Sequence, residues 1–246
     1  MTVSKPILKY LFADDLKHLG WIMLAMLGIN IFLGIVTTGG TNINGLEFIF
    51  GFILLVGWAE SFEEDLHFYT QHGISRRTIF ASTTVGMIIS SVVFTIALMV
   101  TTGLLALFAT IMPVDLSYLS IFSTFYTQQL AGMGTVQGIL VHFVWAWAIL
   151  FAFGAVGQFG ASLYYILSKL GRYIALSVII FVVVLAPRFL IPMSGDLEAI
   201  IETFVNVIVY GGDWGNPGRA IATALVVAVA CLIGSWLCAR RCQMKK

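Results

Sequence analysis

Glu60-Ser-Phe-Glu-Glu-Asp-Leu-His-Phe-Tyr-Thr-Gln-His-Gly-Ile-Ser-Arg-Arg-Thr-Ile-Phe80 decides how the rest of this chain is read. The stretch carries four acids, two arginines and two histidines. It lies between long runs with almost no charge. A segment this polar stays in water or against a polar partner, so the runs beside it are the part of the chain that leaves water.

Working outward, the whole chain has that character. Its 246 residues are 59% hydrophobic and only 10% charged, against roughly a quarter charged in an ordinary soluble domain. With a mean hydropathy of +0.98, a soluble fold would leave helices apolar all round with nothing to bury them against. The composition therefore predicts an all-α, polytopic membrane protein forming one transmembrane domain over residues 1–246.

A bilayer core of about 30 Å takes roughly twenty residues of apolar helix. Six runs qualify, at about 19–38, 45–61, 79–111, 134–167, 173–191 and 218–238. Turn-rich breaks separate them at Gly39-Gly40-Thr41-Asn42, Met112-Pro113-Val114-Asp115 and Gly211-Gly212-Asp213-Trp214-Gly215-Asn216-Pro217. The third and fourth runs are too long for a straight crossing. Each must tilt or project beyond the lipid, and the third is expected to begin in the cytosol near Arg76 and Arg77.

Basic residues set the orientation. Lys5, Lys9, Lys17, Arg76, Arg77, Lys169, Arg172, Arg240, Arg241, Lys245 and Lys246 fall on one side, leaving only Arg188 and Arg219 towards the other. Both termini are accordingly expected in the cytoplasm, with the chain in a cell membrane and Glu47, Asp115, Asp196, Glu198, Glu202 and Asp213 on outer connections. Residues 5–18 mix apolar and basic positions at near-helical spacing and predict an interfacial elbow helix. The outer segment 192–217 is read as a short helix or a re-entrant hairpin. No removable signal peptide is visible at the start.

The absent motifs narrow the function. There is no Gly-x-x-x-x-Gly-Lys-Ser/Thr loop, so no ATPase site of the chain's own. There is no His-Glu-x-x-His, and Gly160-Ala-Ser162-Leu-Tyr164 fails a serine-hydrolase elbow at its last position. Tyr210-Gly-Gly-Asp213 fails an aspartyl-protease motif at its first. Cys231, Cys238 and Cys242 are odd in number with no histidine at metal-ligand spacing, so neither a disulfide framework nor a metal site follows. No convincing internal repeat is present, so the inverted-repeat architecture of many carriers finds no support. A net charge of +1 gives no field for nucleic acid.

Few polar groups fall inside the runs. His142, in Val141-His-Phe-Val-Trp-Ala-Trp147, is read as a neutral interfacial residue rather than a proton relay. Glu47 and Arg188 sit near outer helix ends, where water is expected to reach them. Asn30, Gln137 and Gln158 suit bonds between helices. Asn30, His142 and Gln158 are the candidates for a substrate path.

On a helical wheel centred on Phe62, Leu66 and Tyr69 share one face, while Glu60, Glu63, Glu64, His67 and Gln71 gather on the far side and Asp65 flanks the apolar stripe. Gly73 suits a left-handed helix end, and Ser75 suits the cap of the helix that opens with Arg76 and Arg77. The expected layout is helix, glycine break, helix, just beneath the membrane, and it suits a docking element.

Gln71-His-Gly-Ile-Ser-Arg-Arg-Thr-Ile-Phe80, preceded by Glu60-Ser-Phe-Glu-Glu-Asp-Leu, resembles the Glu-x-x-x-Asn-Gly-Ser/Val-Ser-Arg/Lys-x-x-Phe pattern after the second membrane helix of ABC-2 type permeases of bacterial exporters. His72 departs from the usual Asn. The resemblance implies a coupling helix over 60–78 that enters a groove on a separate ATP-binding subunit, which binds ATP and magnesium; this chain then holds no cofactor. It implies that Glu60, Glu63, Glu64, Asp65 and His67 meet the ATPase. Gly73 and Ser75 shape the turn, and Arg76 and Arg77 steady the helix after it. It further implies two ATPases, a second permease subunit, identical or homologous, and export of a drug, peptide antibiotic or other amphiphile. Two rival classes are an ion- or proton-coupled carrier using His142 and Glu47, and a non-transporting scaffold.

Overall fold

A computed structural model describes residues 41–44, 46–111, 116–119, 134–167 and 216–241, with positions 28, 122, 126 and 132. Within them the order is β1 (Thr41–Asn44), α1 (Leu46–Gln71), α2 (Arg76–Ile111), β2 (Leu116–Leu119), α3 (Thr135–Ile166) and α4 (Pro217–Arg241). The elbow helix at 5–18, the runs at 19–38 and 173–191, nearly all of 192–217, and Asn30 lie outside the described residues.

Proline placement explains the long helices. Pro6, Pro113, Pro187, Pro192 and Pro217 are the only prolines, and none falls inside α1, α2 or α3. Pro113 follows the end of α2 by two residues, where it cannot continue a helix. Pro217 is the first residue of α4, where its missing N–H costs nothing. Asn216 caps that helix, its Oδ1 accepting the Gly218 N–H at 3.0 Å.

Among the described residues three helices are long and apolar enough to cross a membrane: Arg76–Leu104 within α2, Thr135–Ile166, and Pro217–Arg240 within α4. Their boundaries match the apolar runs expected at 79–111, 134–167 and 218–238. The run at 45–61 turns out differently. It continues without a break through the charged stretch to Gln71 as one helix of 26 residues. Its apolar section, Ile49–Glu60, is only about 18 Å long, short of a bilayer core.

Short strands stand at or just after two of the expected breaks, 39–42 and 112–115. Thr41–Asn44 pairs in parallel with Leu116–Leu119, Thr41 opposite Leu116 and Asn44 opposite Leu119. Parallel strands need a long crossover, and the α1–α2 hairpin supplies it.

α3 is the centre of the packing. It runs beside α1 in the same direction, since Glu47 meets His142 and the Leu55 carbonyl lies against Gly157. α2 crosses both in the opposite sense, with Met87 against Gly154 and Thr83 against Gln158. α4 lies along the other flank, parallel to α3, joined at Ser162–Ser235 and along Ala220, Ala224 and Ala228, all buried. Phe50, Leu54, Trp58, Phe94, Leu98, Trp145 and Leu150 fill the space between.

Small residues permit this closeness. A Cβ at Gly157 would collide with the Leu55 carbonyl, one at Gly51 with the Phe153 ring, and one at Gly234 with the Phe159 ring. Such contacts are how helices associate where lipid offers no hydrophobic contrast. Outward faces stay apolar, as at Phe52, Ile96, Val136, Ile139, Val226 and Ile233, which suits hydrocarbon rather than water.

Candidate functional site

The charged turn is built from its backbone upward. At the end of α1, Gly73 takes φ +74, the left-handed conformation that glycine adopts without a Cβ penalty. The Ile74 N–H donates to the Tyr69 carbonyl and the Gly73 N–H to the Thr70 carbonyl, each at 3.1 Å. These are the paired bonds of a Schellman end, and Ile74 packs on Tyr69 and Ile79 to close it. His72 adds a bond from its Nδ1 to the Phe68 carbonyl at 2.7 Å.

α2 then starts without slack. Ser75 Oγ accepts the Thr78 N–H at 3.2 Å, the bond of a helix N-cap to its third residue. The Ser75 and Thr78 hydroxyls also bond to each other at 2.8 Å. The connection between two long helices is therefore only a few residues, closed by capping bonds at both ends.

Arg76 extends from this turn to the far flank. Its guanidinium donates to the Ala239 carbonyl at 3.5 Å. Ala239 is in the last turn of α4, where carbonyls lack helical partners and the dipole favours a cation. Phe80 packs at a tilt against Trp236, ring centroids 5.1 Å apart, and the Arg240 guanidinium lies 6.0 Å over the same indole. The turn is thus fixed to α4 at two levels. Arg77 is exposed.

Glu60 is exposed on α1. Glu63, Glu64, Asp65 and His67 are helical residues of the same element, and helical spacing puts positions 60, 64, 67 and 71 along one side. Opposite them, Phe62 is half-buried and Tyr69 buried.

The remaining candidates separate into two places. Gln158 is buried on α3, and its Nε2 donates to Thr83 Oγ1 on α2 at 3.5 Å. Its Oε1 is buried with no hydrogen-bond partner among the described residues. One turn on, Ser162 donates to the Gln158 carbonyl at 2.7 Å and meets Ser235 of α4 at 2.7 Å. A polar line thus joins α2, α3 and α4.

His142 lies about 10 Å into α3, at the strand end of the molecule, with its Nε2 3.8 Å from Glu47 Oε1. Here the expectation for Glu47 fails. It is not reached by water but is 2% exposed, with α3 against it at His142. The His142 ring lies flat on Phe122, centroids 4.8 Å apart, beside Trp145. Tyr126 closes the group against Phe122 and Trp145.

Sequence reasoning had no signal for Phe122 or Tyr126, which enter through a connection. Nor could it pair Arg76 with Ala239 or Ser162 with Ser235, since those contacts depend on how the helices cross. Comparison of the chain with models of protein families, with curated proteins and with solved structures finds no match.

Proposed function

We propose that this chain is the membrane permease subunit of an ATP-driven ABC-type exporter, working as a dimer with cytosolic ATPases. The observation that carries the reading is the charged end of α1. It is an acidic helix end that closes in a Schellman turn, and the arginine that follows the turn, Arg76, ties it to α4. A docking element must transmit force, and a capped, cross-braced turn bends less than a loop.

In this reading six spans leave both termini in the cytoplasm of a bacterial cell, the short apolar section of α1 crossing where the bilayer thins to meet it. Glu60, Glu63, Glu64, Asp65 and His67 meet basic groups of the ATPase. Its ATP-driven closure pushes on the α1–α2 turn and rocks the bundle, moving a cavity from inward to outward facing. The uncharged, aromatic character of α3 suits an amphiphilic cargo such as a drug or peptide antibiotic.

The test is co-purification with the ATP-binding proteins of the same host, followed by Glu63→Lys with Glu64→Lys in one variant. The expected outcome is a co-purifying ATPase that the variant loses while still inserting in the membrane. Retention of ATPase and transport by the variant refutes the docking assignment. The absence of any co-purifying ATPase refutes the class.

A further inference from the structure

We propose that Arg76 and Arg240 form a binding site for one anionic phospholipid headgroup, at the seam between α2 and α4 in the leaflet that meets the charged turn. The site depends on α2 and α4 crossing a membrane, as their length and composition allow, and not on whether an ATPase docks on α1.

Both arginines stand at the level of a headgroup. Arg76 opens the apolar span of α2 and Arg240 closes that of α4, where hydrocarbon gives way to water. Trp236, one turn before Arg240 and about 6 Å along the axis, has the amphipathic ring that settles at that level. It also draws the two helices together. Phe80 of α2 packs against its indole, and Arg240 lies over the same ring. Arg76 crosses the seam to donate to the carbonyl of Ala239, the residue immediately before Arg240. Two cations from distant parts of the sequence thus meet at one corner.

Their charge is left for a ligand. Neither α2 nor α4 contains an aspartate or glutamate, and among the described residues no carboxylate pairs with either arginine. A guanidinium carries its N–H donors in a planar fork. Arg76 uses one of them in a long bond of 3.5 Å, and Arg240 rests on an aromatic face. The remaining donors suit phosphate oxygens, which a guanidinium pairs with bidentately. The α2 dipole favours an anion here. The α4 dipole opposes it, but Arg76 covers one of the carbonyls that carry it.

A lipid, rather than a free anion, fits what lies below. Ile233, Leu237 and Arg240 follow one another at helical spacing along one side of α4, and the two apolar side chains are 56% and 53% exposed. A headgroup on Arg240 therefore has its acyl chain beside an apolar stripe. Inorganic phosphate gains nothing from that stripe.

Native mass spectrometry of the full chain in detergent, titrated with phosphatidylglycerol or phosphatidylcholine, reads the site. Wild type is expected to hold one phosphatidylglycerol about twenty-fold more tightly than phosphatidylcholine, the product of two charges at about fivefold each. That preference is measured without any substitution. A diffuse surface field weights each basic residue alike, whereas a two-arginine site does not. Arg76→Gln and Arg240→Gln are each expected to weaken binding about tenfold or more, with the double variant well short of the product. Arg77→Gln, exposed on the same turn, is expected to weaken it about fivefold or less. Arg240→Lys keeps the charge but loses the fork and is expected not to restore wild-type binding. Equal, additive losses at all three arginines overturn the proposal, as does equal binding of the two lipids. Displacement by glycerol phosphate at the lipid's own concentration would assign the corner to a soluble phosphate and overturns it as well.

Discussion

Gly157→Ala tests the packing on which both sites depend. The added methyl points at the Leu55 carbonyl, well inside van der Waals contact, and a backbone carbonyl has no rotamer by which to move aside. The α1 and α3 backbones must separate. A gap of 0.5–1 Å already forfeits about a quarter to a half of each dispersion contact across it, here those of Leu54 and Trp58 with α3. Overpacking of this kind costs about 1–3 kcal/mol, and a backbone obstacle belongs at the upper end. Replacing a helical glycine by alanine returns about 0.5–1 kcal/mol, which leaves a net loss of about 2 kcal/mol.

Gly160→Ala is the control, on the same helix one turn later. A Cβ there meets nothing within 4 Å, so only the favourable helix term remains. Reversible unfolding of both variants, by denaturant titration in mixed micelles with tryptophan emission as the signal, is expected to separate them by about 3 kcal/mol, roughly a hundredfold in the equilibrium constant. If Gly157→Ala is as stable as Gly160→Ala, the α1–α3 approach described here is wrong.

Two further substitutions probe the turn and the polar line. Ser75→Ala removes the oxygen that accepts the Thr78 N–H and is expected to cost about 1 kcal/mol, read as faster amide exchange confined to the first turn of α2; uniform exchange would mean that the cap does not hold the turn. Gln158→Leu removes the buried, unsatisfied Oε1 at the loss of one long bond to Thr83, so stability is expected to stay within about 1 kcal/mol of wild type. Transport lost in a Gln158→Leu protein of normal stability would place Gln158 on the substrate path; transport retained would remove it.

The helices were legible in sequence where breakers stand at their ends. Pro113 stops α2, Asn216-Pro217 starts α4, and the Gly73 and Ser75 pair follows from residue type alone, because only glycine takes the left-handed end cheaply. The extent of α1 was less legible. Charge marks where a membrane helix leaves lipid but not where it stops being helical, and Glu, Asp and His all tolerate helix. The Glu47–His142 pair could not be seen at all. It depends on α1 and α3 being parallel, which is a property of the packing, and the near contact of Gly157 with α1 is what sets their relative level.

That near contact also relates the two ends of α1. Leu55 is eight residues from Glu47 and sixteen from Gln71 along an uninterrupted helix, or about 12 Å and 24 Å. A tilt of about 5° around Leu55 therefore moves the turn by about 2 Å and Glu47 by about 1 Å. The starting separation of 3.8 Å makes the smaller displacement matter. About 1 Å closer, Glu47 and His142 reach hydrogen-bond distance; about 1 Å farther, the contact is lost. A modest push at the charged turn is thus large enough to make or break the pair, provided α1 moves as a rod and Gly157 is its pivot. Gly157→Ala separates the helices at that pivot, so its loss of stability should come with weaker coupling between Glu47 and His142 in a double-mutant cycle. Undiminished coupling in a destabilised Gly157→Ala protein would mean that the pair is held locally, by Phe122 and Trp145, and does not feel the turn.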